Sequence, residues 1–142
     1  ANVGSLRSRM PEGVVRRGDI LQISPFENNL VVLEMKGKDV VELMRNIAAV
    51  KGEAVSREVR MEMDAEGNVL LVRIGGKAIE KKRTYLIATL DYLAEGNDRL
   101  YALKKHKRRH ETGMSVREIM MESVVKNRVI DSRIEGRIVM KK

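Results

Sequence analysis

Apolar and polar positions follow two rhythms along this chain, and the changes of rhythm divide it into elements. Asn29 to Lys36 is rich in Val and Leu and follows a turn, which predicts a strand. From Lys38 to Val50 the spacing becomes helical: Val40, Leu43, Met44 and Ile47 recur three and four apart, and Val41 and Ala48 widen the stripe. Gly52 is the expected cap. Val59, Met61 and Met63 then alternate with Glu58, Arg60 and Glu62, the turn Ala65-Glu66-Gly67-Asn68 follows, and Val69 to Ile74 resumes as a strand, so a hairpin is predicted. Gly75-Gly76 turns the chain into Thr84–Leu90, whose apolar run Leu86–Leu90 reads as a strand covered on both faces.

That run empties into the polar stretch Asp91 to Asp98. A strand fixes the position of the loop it feeds, and a tyrosine beside carboxylates suits the stacking of a flat ring and the holding of hydroxyls. The pattern weakens beyond it. Lys104-Lys105-His106-Lys107-Arg108-Arg109-His110 is a charge run compatible with helix or loop. Ser115-Val116-Arg117-Glu118 has capping-box form ahead of a helix at about 116–127. Gly136 to Met140 predicts a final strand. Before Asn29, Pro11-Glu12-Gly13, Gly18-Asp19-Ile20 and Ser24-Pro25-Phe26 are too punctuated for long elements. Helices mixed with strands, some in a hairpin, place the chain in the α+β class.

Composition narrows the picture. A chain of 142 residues with 43% hydrophobic content has room for one domain with a sizeable core. No apolar run reaches the roughly 18–20 residues of a membrane span, and no cysteine is present to form a disulfide or a thiolate ligand. Residues 1–98 hold 15 basic and 15 acidic side chains, whereas residues 99–142 hold 13 and 5, so the net charge of +8 lies in the C-terminal part. His106 and His110 have the i,i+4 spacing of a metal pair, but they stand among cations and suggest no acidic third ligand, so a solvated basic face is the preferred reading. The lack of interleaved aromatics apart from Tyr101 argues against a nucleic-acid site. The nine methionines fall mostly at core-facing positions, where filling gaps explains them.

The ordered set Asn2-Val3-Gly4-Ser5-Leu6-Arg7, Gly18-Asp19-Ile20, Pro25-Phe26-Glu27-Asn28, Met35-Lys36-Gly37, Gly52-Glu53-Ala54-Val55-Ser56, Tyr85 to Asp98 and Gly136-Arg137-Ile138 resembles the C-terminal domain of the 5'-nucleotidase family. That family also includes UDP-sugar hydrolases and cyclic-nucleotide phosphodiesterases. The resemblance covers essentially the whole chain. It implies layered sheets and helices in a single domain over residues 1–142, expected to lack its first upstream elements. It also implies a substrate-binding role with a nucleotide or nucleoside as ligand: Asn2 near the base in a turn opened by Gly4, Arg7 toward the phosphate, Tyr92 stacked on the base and Asp98 on ribose hydroxyls. An arginine suits phosphate because its planar fork donates two parallel hydrogen bonds.

Three departures stand out. Ala54 occupies the place where the family has a second aromatic after Gly-Glu, so one wall of the base clamp is expected to be missing. Gly96-Asn97-Asp98-Arg99 carries side chains where the family has Gly-Gly-Asp-Gly, and Asn2-Val3-Gly4-Ser5 replaces Asn-x-Gly-Gly. The family's Asp-x-His, Gly-Asn-His and Gly-His-x-His metal motifs do not occur, so no catalytic residue and no metal ligand is assigned here. The two divalent metals are expected in a partner metallophosphoesterase domain or subunit, and the setting by resemblance is periplasmic or at the cell surface. The alternative is a basic interaction module that keeps the fold, has lost nucleotide binding, and works through Lys104–Arg109.

Overall fold

The computed structural model describes residues 6–141. Two antiparallel strands flank β1 (Asn29–Lys36): β5 (Thr84–Leu90) and β6 (Arg108–Ser115), giving a three-stranded sheet in the order β5-β1-β6. A second sheet has the order β4-β3-β2-β7, built from β2 (Val59–Met63), β3 (Val69–Ile74), the two-residue β4 (Lys77–Ala78) and β7 (Ile138–Met140). The β2–β3 hairpin pairs Met61 with Val72, β7 joins β2 in parallel, and Gly75-Gly76, both at positive φ, make the tight turn from β3 to β4.

Helix α2 (Gly37–Ala49) packs against both sheets. Its buried stripe Val40, Leu43, Met44, Ile47 and Ala48 meets Val31, Leu33 and Met35 of β1 and Val59, Met61 and Met63 of β2 in one core. The three β1 side chains are fully buried, which stabilises the fold by about 1.5–3 kcal/mol each. Leu100, Ala102 and Leu103 close the core beneath a 3₁₀ turn over Tyr101–Lys105. Met35, Met44, Met61 and Met63 are buried, while Met10, Met114 and Met140 are exposed. The short helix α1 (Arg17–Ile23) is fixed at its start by Asp19, whose carboxylate accepts from the Arg16 N–H at 2.6 Å, and it lies against α4 (Val116–Asn127).

Three expectations are corrected and one is extended. β5 is not covered on both faces: it is an edge strand among the described residues, Leu86 is 69% exposed, and Tyr85, Ile87 and Thr89 turn inward. An unbroken apolar run does not record position within a sheet, and the central place belongs to β1. The charge run does not form one element, because its second half opens β6, a strand with hardly any apolar alternation that is held by backbone bonds to β1. Gly52 (φ +118°) helps close α2 as expected, together with Lys51 (φ +64°), and the N–H groups of Lys51 and Gly52 satisfy the carbonyls of Ala48 and Ile47. Ser115 does precede α4, but its hydroxyl makes no capping bond.

Candidate functional site

The site is assembled where three chain segments meet the C-terminal end of α2. At the end of β5 the chain enters the four-residue helix α3 (Asp91–Ala94). The Asp91 carboxylate accepts from the Asn29 N–H at 3.1 Å and the Tyr92 N–H at 2.8 Å, tying the start of β1 to the backbone that carries Tyr92. The Asn97 side chain donates to the Tyr92 carbonyl at 2.7 Å and folds the next loop back over it. Arg117 of α4 pairs with Glu27 at 2.9 Å, and the Val116 N–H donates to the Asn28 carbonyl at 3.0 Å, so the Pro25–Asn28 loop is held from the other side. The Arg7 N–H reaches the Ile23 carbonyl at 2.9 Å and hangs the first segment on α1.

These segments enclose a cavity of about 800 Å³ lined by Arg7, Phe26, Asn28, Lys51, Tyr92, Asp98 and Arg99, with Ala49, Val50 and Glu53 at the helix end. Three of the residues singled out from the sequence, Arg7, Tyr92 and Asp98, therefore share one concavity. Asn2 and Gly4 lie outside the described residues. The arginines and Lys51 give the lining positive charge, and Asp98 and Glu53 give it carboxylates. Tyr92 is 49% exposed, and its hydroxyl stands 3.5 Å from the Asp98 carboxylate, at the outer limit of a hydrogen bond. The Arg7 guanidinium lies 5.1 Å from the centre of the Phe26 ring, an attraction of about 0.5–1 kcal/mol at an exposed site.

Phe26 is the residue that sequence reasoning missed. It lies within Pro25-Phe26-Glu27-Asn28, whereas the resemblance puts the second aromatic after Gly52-Glu53, where Ala54 stands. The structure places an aromatic on the β1 approach instead, so the cavity holds Phe26 as well as Tyr92. One signal was available: Phe26 is the only phenylalanine, it follows a proline, and no helical or strand stripe absorbs it. Its 42% exposure is what a ring facing a cavity shows.

Backbone strain gathers here too. Among the described residues four non-glycine residues have left-handed φ, and Lys51, Asp98 and Arg99 (φ +64°, +53° and +64°) all line the cavity. Such conformations cost an L-residue about 1–2 kcal/mol and persist where the surroundings impose them, often at binding sites. Arg99 thus keeps a glycine-like backbone while placing a guanidinium in the lining.

The charge run divides between surroundings. Arg109 pairs with Glu95 and with Glu111, and these bonds raise the pKa of its guanidinium, that to Glu95 contributing most. Lys105 pairs with Glu42 at 2.7 Å. His106 Nδ1 lies 2.8 Å from the Leu103 carbonyl and His110 Nε2 lies 2.9 Å from Glu34, so the two imidazoles take separate partners. No cluster of three His, Cys, Asp or Glu of metal-binding size, and no helix long and apolar enough to cross a membrane, occurs among the described residues.

Known proteins resemble this chain in sequence and in fold. Residues 1–105 match the sequence profile of the family described as 5'-nucleotidase, C-terminal domain. A 5'-nucleotidase of Vibrio vulnificus is 32% identical over 133 residues, which is 92% of this chain and 24% of that protein. Protein UshA of Yersinia enterocolitica is 28% identical over 97% of this chain and 26% of its own length. The chain thus spans about a quarter of these relatives. The crystal structure of a 5'-nucleotidase precursor from Thermus thermophilus superposes with a TM-score of 0.85 at 28% identity, over 96% of this chain and 30% of that one.

Proposed function

The chain belongs to the family of 5'-nucleotidase C-terminal domains, and from that premise we propose that its cavity binds the nucleoside part of a nucleotide. The observation that carries the reading is the gathering of Arg7, Phe26, Tyr92 and Asp98 around one cavity of about 800 Å³. Tyr92 and Phe26 offer ring faces to a base, and stacking on an aromatic contributes roughly 1–3 kcal/mol per base. Asp98 accepts from ribose hydroxyls in a charged hydrogen bond of about 1.5–3 kcal/mol. Arg7 offers its fork to a phosphate oxygen pair, with Lys51 and Arg99 adding positive charge to the same lining. Two or three such contacts give the modest affinity that suits a substrate released after turnover.

In this reading the chain recognises and positions, and bond cleavage belongs to a metallophosphoesterase domain or subunit with two divalent metals, acting in the periplasm or at the cell surface. The alternative role as a basic interaction module working through Lys104–Arg109 is less favoured, since Lys105 and Arg109 of that run each face a carboxylate.

Calorimetric titration of AMP, adenosine and UDP-glucose into the chain tests the proposal. Tyr92→Ala and Phe26→Ala are each expected to weaken binding by roughly 5- to 100-fold, the equivalent of about 1–3 kcal/mol, while Tyr92→Phe retains most of it. Absence of heat from all three ligands removes the reading. Binding that survives both alanine variants removes the assignment of the site.

A further inference from the structure

We propose that a second cleft, at the opposite end of α2 from the cavity, binds a compact ligand bearing several phosphate groups, of the condensed-phosphate class. Lys36, Lys38, Lys81, Lys82, Lys105 and Lys107 line a cleft of about 720 Å³, with Asp39 as the one acidic side chain in the lining. The six come from the β1–α2 junction, the loop after β4, the 3₁₀ turn and the entry to β6.

The fold holds this cluster together by its backbone. The Gly37 N–H donates to the Arg83 carbonyl at 2.8 Å and the Lys38 N–H to the Lys81 carbonyl at 3.0 Å, which clamps the Lys81-Lys82 loop onto the first turn of α2. Lys36 Nζ donates to the Lys82 carbonyl at 3.1 Å and to Thr84 Oγ1 at 3.0 Å. The clamp depends on Gly37, because a Cβ there would come within 2.0 Å of the Glu80 carbonyl oxygen. Across the cleft the Lys107 N–H donates to the Glu34 carbonyl at 2.7 Å. Lys105 is neutralised by Glu42, but Lys38, Lys81, Lys82 and Lys107 are exposed and make no ion pair with the described residues. Four unpaired ammonium groups on a backbone clamped around a concavity repel one another until an anion enters.

The lining also states what kind of anion fits. It holds no aromatic ring on which a base would stack and no arginine fork for one planar carboxylate. Lysine ammonium groups are rotatable point charges that serve phosphate oxygens from several directions. A concave cleft takes a compact polyanion in preference to a flat lipid surface.

The test is calorimetric titration of tripolyphosphate and orthophosphate into the 142-residue chain, at salt from about 20 to 150 mM. Tripolyphosphate is expected to bind at least about tenfold more tightly than orthophosphate, and to weaken as salt rises. The double variant Lys81→Gln/Lys107→Gln is expected to lose about tenfold or more in tripolyphosphate affinity. Lys77→Gln/Lys126→Gln, which removes the same charge elsewhere on the surface, should leave it unchanged, and circular dichroism verifies the fold of both. Equal losses in the two double variants would reduce the effect to diffuse charge and overturn the proposal, as would silence toward tripolyphosphate at low salt. Tighter binding of a short RNA, abolished by the Lys81/Lys107 variant, would also overturn it in favour of nucleic acid. Tyr92→Ala is expected to leave tripolyphosphate binding intact, so the two sites succeed or fail separately.

Discussion

Arg99→Gly tests whether the strain at the cavity belongs to its function. Arg99 has a left-handed backbone (φ +64°) directly after the left-handed Asp98 (φ +53°), and a side chain in that conformation costs about 1–2 kcal/mol. Glycine removes this cost but gives the unfolded chain extra freedom worth about 0.4–1 kcal/mol. The difference leaves the variant more stable by about 0.5–1 kcal/mol, and for a chain of this size Tm rises by roughly 2–4 °C. Asn97→Gly is the matched control. Asn97 has no left-handed backbone, and its amide donates to the Tyr92 carbonyl at 2.7 Å, so glycine there gains nothing and lowers Tm. Scanning calorimetry reads both variants. If Arg99→Gly lowers Tm as much as Asn97→Gly does, the strain argument is wrong. Binding supplies the second half: removing the guanidinium is expected to weaken AMP by roughly three- to tenfold and to spare adenosine, which has no phosphate. Equal weakening of both would place Arg99 at the nucleoside instead.

Thr89 is 4% exposed and faces the core from β5, and its hydroxyl has no hydrogen-bond partner among the described residues; Thr89→Val is expected to stabilise by about 1 kcal/mol in urea unfolding, and a clear loss would show that the hydroxyl is satisfied. Gly37→Ala forces the loop after β4 away from α2 and forfeits two backbone hydrogen bonds, so a loss of about 1–3 kcal/mol is expected, together with loss of tripolyphosphate binding; unchanged stability would contradict the clamp. The Asn68 side chain, donating at 2.8 Å, is the largest cause holding the Asp64 carboxyl below its ordinary pKa. A depressed carboxylate stabilises the fold at pH above about 3.9, and that contribution fades as pH falls through the folded-state value. Asn68→Ala should return the Asp64 titration followed by NMR toward the ordinary value, and an unmoved curve would refute the cause.

Much of the fold was legible because local periodicity reports it. The alternation Val59-Met61-Met63 and the stripe Val40-Leu43-Met44-Ile47 depend on neighbours in sequence, and β2 and α2 stand where those patterns put them. β6 was illegible for the converse reason: Arg108–Ser115 is a strand through its hydrogen bonds to β1, more than seventy residues away, and its side chains carry no stripe. The edge position of β5 is likewise a fact about partners and not about its own residues. At the site, Arg7, Tyr92 and Asp98 were reached through ordered motifs, and the shared cavity makes them neighbours. Phe26 required knowing that the approach to β1 passes beside α3, which the Asn29–Asp91 bond shows and no spacing announces. The lysine cleft was hidden in the same way, since Lys38 and Lys81 are brought together by the Gly37 clamp and Lys107 joins them through the bond from its N–H to the Glu34 carbonyl.

Helix α2 sets how far the two ends of the molecule sense each other. Its 13 residues, at about 1.5 Å each, span roughly 20 Å between the lysine cleft and the cavity. Charge is screened over about 8 Å at physiological ionic strength and over about 30 Å at 0.01 M. The helix is therefore longer than two screening lengths in saline and shorter than one in dilute buffer. Two anionic ligands, one at each end, would bind independently in the first medium and oppose each other in the second, without any movement of the protein between them.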